Sequence, residues 1–283
     1  MISPKIEAFR QLEGLPSPPG QILMVLEAIG RNSALDYNIV QMIQYDPGIA
    51  LRVLKAANTP LYGFPARIAS LQQAAGLLGP GAIRNIVMTT PVLERFQNNG
   101  AADLVIDFSR LWQHSTVTGA LAGCLGNHVE GMETDVCFTA GLIHAAGKIA
   151  LAVYHPRTLA KMIQQAARKK VPLTQVEQET LGYSHADVAA EMTRAWGFPQ
   201  SLVHALGCCF PTPRQVPGDR LAGVIGLARF LADQWGFGDG MEAAPPDSAE
   251  GFFPLLNITG KDLEAWTPEL REYASHAASE QEG

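Results

Sequence analysis

The sequence predicts an all-α protein built in two helical halves. Three observations carry this. Apolar residues recur at i, i+3, i+4 and i+7 along most of the chain. The periodic segments open on Ser, Thr or Asp caps and close on Gly, Asn or Pro. No alternating run is long enough for a central sheet, and no repeat of roughly 20–50 residues is visible. A chain of 283 residues, 47% hydrophobic and 17% charged, has enough apolar material for a sizeable core and reads as globular. Aromatics supply only 7%, while Ala, Leu and Ile recur at helical spacing, which favours closely packed helices.

Taken in order, Pro18 and Pro19 precede the stripe Ile22, Val25, Leu26, Ile29. Asp36 is placed to cap a helix with Ile39, Val40 and Ile43. Asp46-Pro47 is a cap followed by proline at the first helical position, where its missing N–H costs nothing. That helix carries Ala50, Val53, Leu54 and Ala57, and Asn58 reads as a left-handed stop. Ser70 with Gln73 forms a capping box for Leu71, Ala74, Leu77 and Leu78, and Gly79-Pro80 ends the helix. The polar gap Gln97 to Ala101 sets the boundary, giving an N-terminal subdomain over 1–100 and a second over 101–283 with a C-terminal extension.

In the second half, Ser109 is expected to cap a helix with His114, Val117, Leu121 and Leu125. Thr134 is expected to cap one bearing Ala140, His144, Lys148 and Leu151. Thr174 with Glu177 and Ser184 with Asp187 read as further capping boxes. Gly197 and Pro199 separate two more helices, and Pro211 to Gly218 is a loop. Asp219 opens a long helix through Trp235. Gly236 to Gly251, rich in Gly, Pro and acid, reads as an exposed loop. Thr259 to Tyr273 forms a terminal helix, with Ser275 to Gly283 frayed.

The formal net charge of −6 argues against generic binding to a phosphate backbone. The compact basic run, Arg168-Lys169-Lys170, suits a helix C-terminus, where it complements the dipole. The four cysteines, Cys124, Cys137, Cys208 and Cys209, show no C-x-x-C spacing, and the vicinal pair is poorly placed for an ordinary disulfide. A reducing, cytoplasmic compartment is therefore expected. The N-terminus carries Lys5, Glu7 and Arg10 and no apolar signal core. The most apolar helix, near Thr139 to Val153, is interrupted by His144 and Lys148 and reads as too short to span a bilayer, so no membrane segment is expected.

The motifs then resemble the HDOD family, regulatory relatives of HD-type metal-dependent phosphohydrolases. Leu15-Pro16-Ser17-Pro18-Pro19 is similar to that family's Leu-Pro-x-x-Pro opening. Asp46 to Asn58 followed by Tyr62-Gly63 is similar to its most recognisable signature. Ile68 to Ala74, Leu78-Gly79, Trp112-Gln113-His114-Ser115, Ala140 to His144, Gly182 to Val188 and Trp196 to Pro199 continue the pattern in order. The resemblance implies an N-terminal helical bundle packed on an HD-like helical domain. It also implies a role in bacterial signal transduction, often downstream of a receiver or sensor.

In HD hydrolases an adjacent His-Asp pair ligates a divalent cation. In Gly141-Leu142-Ile143-His144-Ala145-Ala146-Gly147-Lys148 the histidine is kept and the acid position is Ala145, which has no lone pair to offer. The resemblance carries the other ligand positions onto His114 and His185. A later His-His pair falls near Cys208-Cys209-Phe210, where no histidine stands. Three imidazoles do not recreate an oxygen-rich Mg²⁺ or Mn²⁺ site. Zn²⁺, with Cys208 or Cys209 added, is the metal alternative. The expectation is a vestigial pocket of His114, His144, Lys148 and His185, with the histidines buried and bonded to backbone carbonyls, and with no metal, cofactor or catalytic residue. Lys148 either contacts an anion there or extends its amine toward water.

Ser115 beside His114 is not a triad by adjacency, and Gly76 to Gly81 lacks the Lys-Ser/Thr of a P-loop. Cys208-Cys209 reads as packing, with no basic neighbour in sequence to activate a thiol. Arg52, Asn58 and Tyr62 are candidates for the interdomain corner or a partner contact. The expected function is a non-enzymatic signalling module acting on a protein partner, such as a receiver or sensor, with no nucleic acid. The alternatives are a phosphohydrolase or cyclic-dinucleotide phosphodiesterase with an atypical site, and a nucleotide-binding regulator without turnover.

Overall fold

The computed structural model describes residues 4–31, 36–93, 105–208, 219–243 and 248–279. Among these residues the one strand-like pairing is an isolated parallel bridge between Ser17 and Val92, so the all-α expectation holds. A short α1 (Pro4–Glu7) and a 3₁₀ turn (Ala8–Gln11) lead into α2 (Pro19–Arg31), α3 (Asp36–Ile43), α4 (Pro47–Ala57) and α5 (Leu71–Met88). Then follow α6 (Phe108–His128), α7 (Thr134–Ile143), α8 (Ala146–Tyr154), α9 (Pro156–Lys169), α10 (Leu173–Leu181), α11 (His185–Ala195), α12 (Gln200–Cys208) and α13 (Arg220–Gln234). The chain closes with α14 (Phe253–Leu256) and α15 (Gly260–Ser279).

Local chemistry explains most helix starts. The Ser184–Asp187 box is present in both directions, and Asp219 accepts from the amides of Leu221 and Ala222. Ser70 accepts from the Gln73 amide at 3.2 Å. At α4, Asp46 Oδ1 accepts from the Ile49 amide at 2.7 Å and from Ser17 Oγ at 2.8 Å. Its other oxygen faces the Trp112 indole N–H at 3.4 Å. Burial outweighs these bonds and pushes the carboxyl up to about 6. A folded pKa above the unfolded one makes the contribution largest below the unfolded pKa and smaller as pH rises through the folded value. Asp46→Asn keeps an acceptor oxygen for Ile49 and cannot ionise. Its stability relative to wild type is expected to improve by about 2 kcal/mol between about pH 4 and pH 7. Urea unfolding at the two pH values checks this, and a pH-independent difference would show that burial does not control this group.

Several caps differ from expectation. Asp107, not Ser109, caps α6, because its carboxylate reaches the Arg110 amide at 3.1 Å. Thr134 is the first residue of α7 rather than its cap, and its hydroxyl bonds Asn127. Thr174 caps nothing, since α10 starts behind Pro172 and Glu177 is drawn away to His185. Asn58 closes α4 at φ −91°, not left-handed; its amide bonds Leu54 O and Ile68 O instead. Gly79, at φ 70°, stops the first half of α5, and Pro80 starts the second half, which runs on to Met88. The terminal helix runs to Ser279 with Ala274, Ala277 and Ala278 buried, so the fraying expected from Ser275 is not seen through Ser279. The Asp36 cap, the Gln97–Ala101 boundary, the Pro211–Gly218 loop and Cys209 lie outside the described residues or their side chains.

One apolar core runs through both halves. The halves are also stitched by polar contacts. The Leu71 amide donates to Thr139 Oγ1 at 2.9 Å, and Arg10 pairs with Glu191 at 2.6 Å. Lys55 Nζ lies 4.8 Å over the Trp196 ring and bonds the carbonyls of Leu12 and Glu13. The stretch Thr134–Tyr154 is long and apolar enough to cross a membrane, longer than the sequence suggested, yet 89% of its apolar window is buried inside the protein. Its apolarity is thus accounted for by the core of the fold.

Candidate functional site

The sequence-predicted pocket sits where α6 meets the break between α7 and α8. The break itself is local: His144 is the last turn of α7, Ala145 leaves helical geometry at ψ 8°, and α8 restarts at Ala146. His144 and Lys148 therefore belong to two helices rather than one continuous face. His144 Nδ1–H donates to Gly141 O at 2.7 Å, and His114 Nδ1–H donates to Phe237 O at 2.9 Å. These carbonyl bonds set both tautomers and leave a lone pair on each Nε2. The two Nε2 atoms face each other at 3.2 Å. They can form a hydrogen bond only by holding one proton between them. Burial pulls His114 below the ordinary histidine value against the attraction of Asp239 and Asp233. Burial and then the neighbouring His114 drive His144 well below it. The shared proton is consequently lost on the acid side of the usual imidazole range.

Lys148 neither reaches water nor awaits an anion. Its Nζ lies 2.6 Å from Asp239 Oδ2, with side-chain exposures of 1% and 3%. Burial opposes the ammonium, but Asp239 and Glu242 outweigh it and raise the lysine above its ordinary value. Asp239 answers in kind: burial would raise it, and Lys148 with His114 holds it far below the usual carboxylate range. Glu242 extends the network, taking the Leu173 amide at 3.2 Å and standing 4.0 Å from Arg229. Asp233 Oδ1 lies 3.7 Å from His114 Nδ1.

The structure thus brings His114 and His144 together beside Lys148, and ties the His185 side chain to Glu177. His185 is fully buried, its Nδ1 is 2.6 Å from Glu177 Oε2, and its backbone amide bonds the same oxygen at 2.9 Å. A divalent-cation site does not fit these residues. Ala145 offers no ligand at the acid position, and His114 and His144 are the imidazoles that meet there. Positive charge bearing on both imidazoles is already supplied by the Lys148 ammonium.

Sequence reasoning missed Asp239, Asp233, Glu242 and Glu177. Asp239 lay in what read as an exposed Gly- and Pro-rich loop, yet it and Met241 are buried. The available signal was Lys148 itself, since an ammonium in so apolar a stretch requires a counter-acid. Arg52 bonds Thr89 Oγ1 at 3.0 Å, Asn58 ties Leu54 to Ile68, and Tyr62 stacks on Phe64 at 6.1 Å. The bonds of Arg52 and Asn58 stay inside the N-terminal half. Cys208, partly exposed, has a histidine the sequence reading did not assign to it: His204 Nε2 is 3.6 Å from its sulfur, and His204 Nδ1 is 2.6 Å from Asp219. Burial and the acids Asp219 and Asp187 nonetheless push that thiol up, which opposes thiolate formation.

The HDOD-domain family model matches residues 15–208, and the chain belongs to that family. Solved structures share the fold at low identity. The MmoQ response regulator of Methylococcus capsulatus is 21% identical, with a TM-score of 0.70 over 89% of this chain and 97% of that one. A virulence factor of Campylobacter jejuni is 18% identical, with a TM-score of 0.71 over 99% and 98%. An uncharacterized protein of Treponema pallidum (strain Nichols) is 20% identical over 200 residues, 69% of this chain. The chain spans only 37% of that relative's length.

Proposed function

We propose that the chain is a non-enzymatic signal-transduction module that acts through contact with a protein partner, such as a receiver or sensor unit. The observation that carries this reading is the Lys148–Asp239 pair closing a pocket whose acid position is Ala145. Membership of the HDOD family and the fold shared with a response regulator support it. The Tyr62 turn is the surface we assign to the partner, because Leu61 is 86% exposed beside it. A cytoplasmic protein that binds neither membrane nor nucleic acid is part of the same proposal.

No phosphohydrolase turnover is expected on mono- or dinucleotides with Mg²⁺, Mn²⁺ or Fe²⁺ supplied. Ala145→Asp alone should not restore it, because Lys148 stays in place and cysteines stand at 208 and 209 where the His-His pair would fall. Metal-dependent hydrolysis that disappears in His144→Ala would establish the phosphohydrolase reading instead. Saturable nucleotide binding without hydrolysis, lost in the same variant, would establish the nucleotide-binding one. Affinity capture from the native cell, comparing wild type with Leu61→Asp, tests the partner: a signalling protein lost from the variant supports the proposal, and an identical capture profile overturns the assigned surface.

A further inference from the structure

Away from the histidine pocket, α6 and α15 bring three metal-ligating side chains to one point. Cys124 and His128 stand one turn apart on α6, a spacing that puts both on the same face. Glu269 reaches them from α15, which lies beyond the segment matched by the family model. One ligand atom from each of the three lies within 4.8 Å of the other two. His128 Nε2 is 2.9 Å from Glu269 Oε2, and the His128 ring stacks on Trp266 at 4.7 Å between centroids. Cys124 is buried, while His128 and Glu269 keep part of their surface. Cys124 also lines a cleft of about 570 Å³ whose wall includes Asn127, Tyr273 and His276, and the exposed parts of His128 and Glu269 open the cluster to solvent.

We propose that Cys124, His128 and Glu269 form a Zn²⁺ site that fastens the C-terminal helix α15 to α6. A thiolate, an imidazole and a carboxylate make a borderline-soft donor set that suits Zn²⁺ better than Mg²⁺ or Ca²⁺. Tetrahedral Zn²⁺ places its ligand atoms roughly 3.3–3.7 Å apart, so the cluster needs only side-chain adjustments of about an ångström. Solvent water takes the fourth position. Binding displaces the thiol proton to solvent, and Zn²⁺ takes the sulfur lone pair in its place. Without the ion, burial and then the Glu269 charge push the Cys124 thiol up to about 12. The site is independent of His114 and His144, and of the partner proposed above.

The test uses the whole chain, stripped with a chelator and titrated with Zn²⁺ against a chromogenic competitor, and separately with Co²⁺ as a spectroscopic probe. One equivalent of Zn²⁺ is expected, and Co²⁺ should give a thiolate charge-transfer band. Cys124→Ser should abolish that band, while Cys137→Ser and His114→Ala keep it. Glu269→Gln changes a side chain that is 45% exposed, so the fold is retained, and it should weaken Zn²⁺ at least about tenfold. Absence of saturable Zn²⁺ binding overturns the site. So does binding that survives Cys124→Ser and Glu269→Gln, or that vanishes in His114→Ala.

Discussion

Gly147→Ala is expected to destabilise the protein by more than about 3 kcal/mol, or to prevent folding. A Cβ at this position would lie 1.8 Å from the His185 carbonyl oxygen, 2.7 Å from the carbon it is bonded to, and 3.1 Å from the Ala189 amide nitrogen. All three are backbone atoms of α11, so no rotamer change relieves the overlap. The start of α11 is also held by the Ser184–Asp187 box and by Glu177, which grips the His185 amide. The helices would have to part, and Lys148, the next residue, would move with α8. For a chain of this size the loss corresponds to a fall of about 10 °C in midpoint. Gly76→Ala is the control: nothing lies within 4 Å of its added carbon, so a gain of about 0.5–1 kcal/mol is expected. A thermal midpoint for Gly147→Ala within a degree or two of wild type would refute the close packing of α8 on α11.

Asp239→Ala is expected to cost about 3–5 kcal/mol, because it leaves the Lys148 ammonium buried without its carboxylate. Lys148→Met should also destabilise, while the double variant Lys148→Met/Asp239→Leu should recover most of the loss. The pH dependence follows from the directions of the two shifts. Asp239 is depressed in the fold, so its contribution is present above the unfolded carboxylate pKa near about 4 and is lost as pH falls further. Lys148 is raised, so its contribution is full below the unfolded lysine pKa near about 10 and is lost as pH rises through the folded value. The pair therefore supports a plateau between those limits, and the double variant should lose that support at both edges. Denaturant unfolding across pH measures this. An Asp239→Ala variant within about 1 kcal/mol of wild type at pH 7 would mean that the ion pair contributes little net stability.

The helical architecture was legible because its signals are local. Asp46-Pro47 and Ser184–Asp187 act on amides two or three residues away, and an apolar period of 3.6 is visible in any window. The caps misread at Ser109 and Thr174 failed where a competing neighbour, Asp107 or His185, held the better bond. The resemblance to HDOD proteins, carried by motif order and spacing, was legible for the same reason and agrees with the matched segment from 15 to 208.

The sequence by itself determined the helices, the family and the place of Ala145 in the metal motif. The tertiary structure decided what surrounds that alanine. Asp239 is 91 residues from the lysine it neutralises, and Glu269 is 141 residues from His128. Such pairings leave no periodic trace, because a single acid in a polar loop looks alike whether it faces water or a buried ammonium. Only the packing of the loop after α13 against α8 removes the water that would otherwise make Lys148 and Asp239 indifferent to one another, and only the packing of α15 on α6 brings Glu269 to His128.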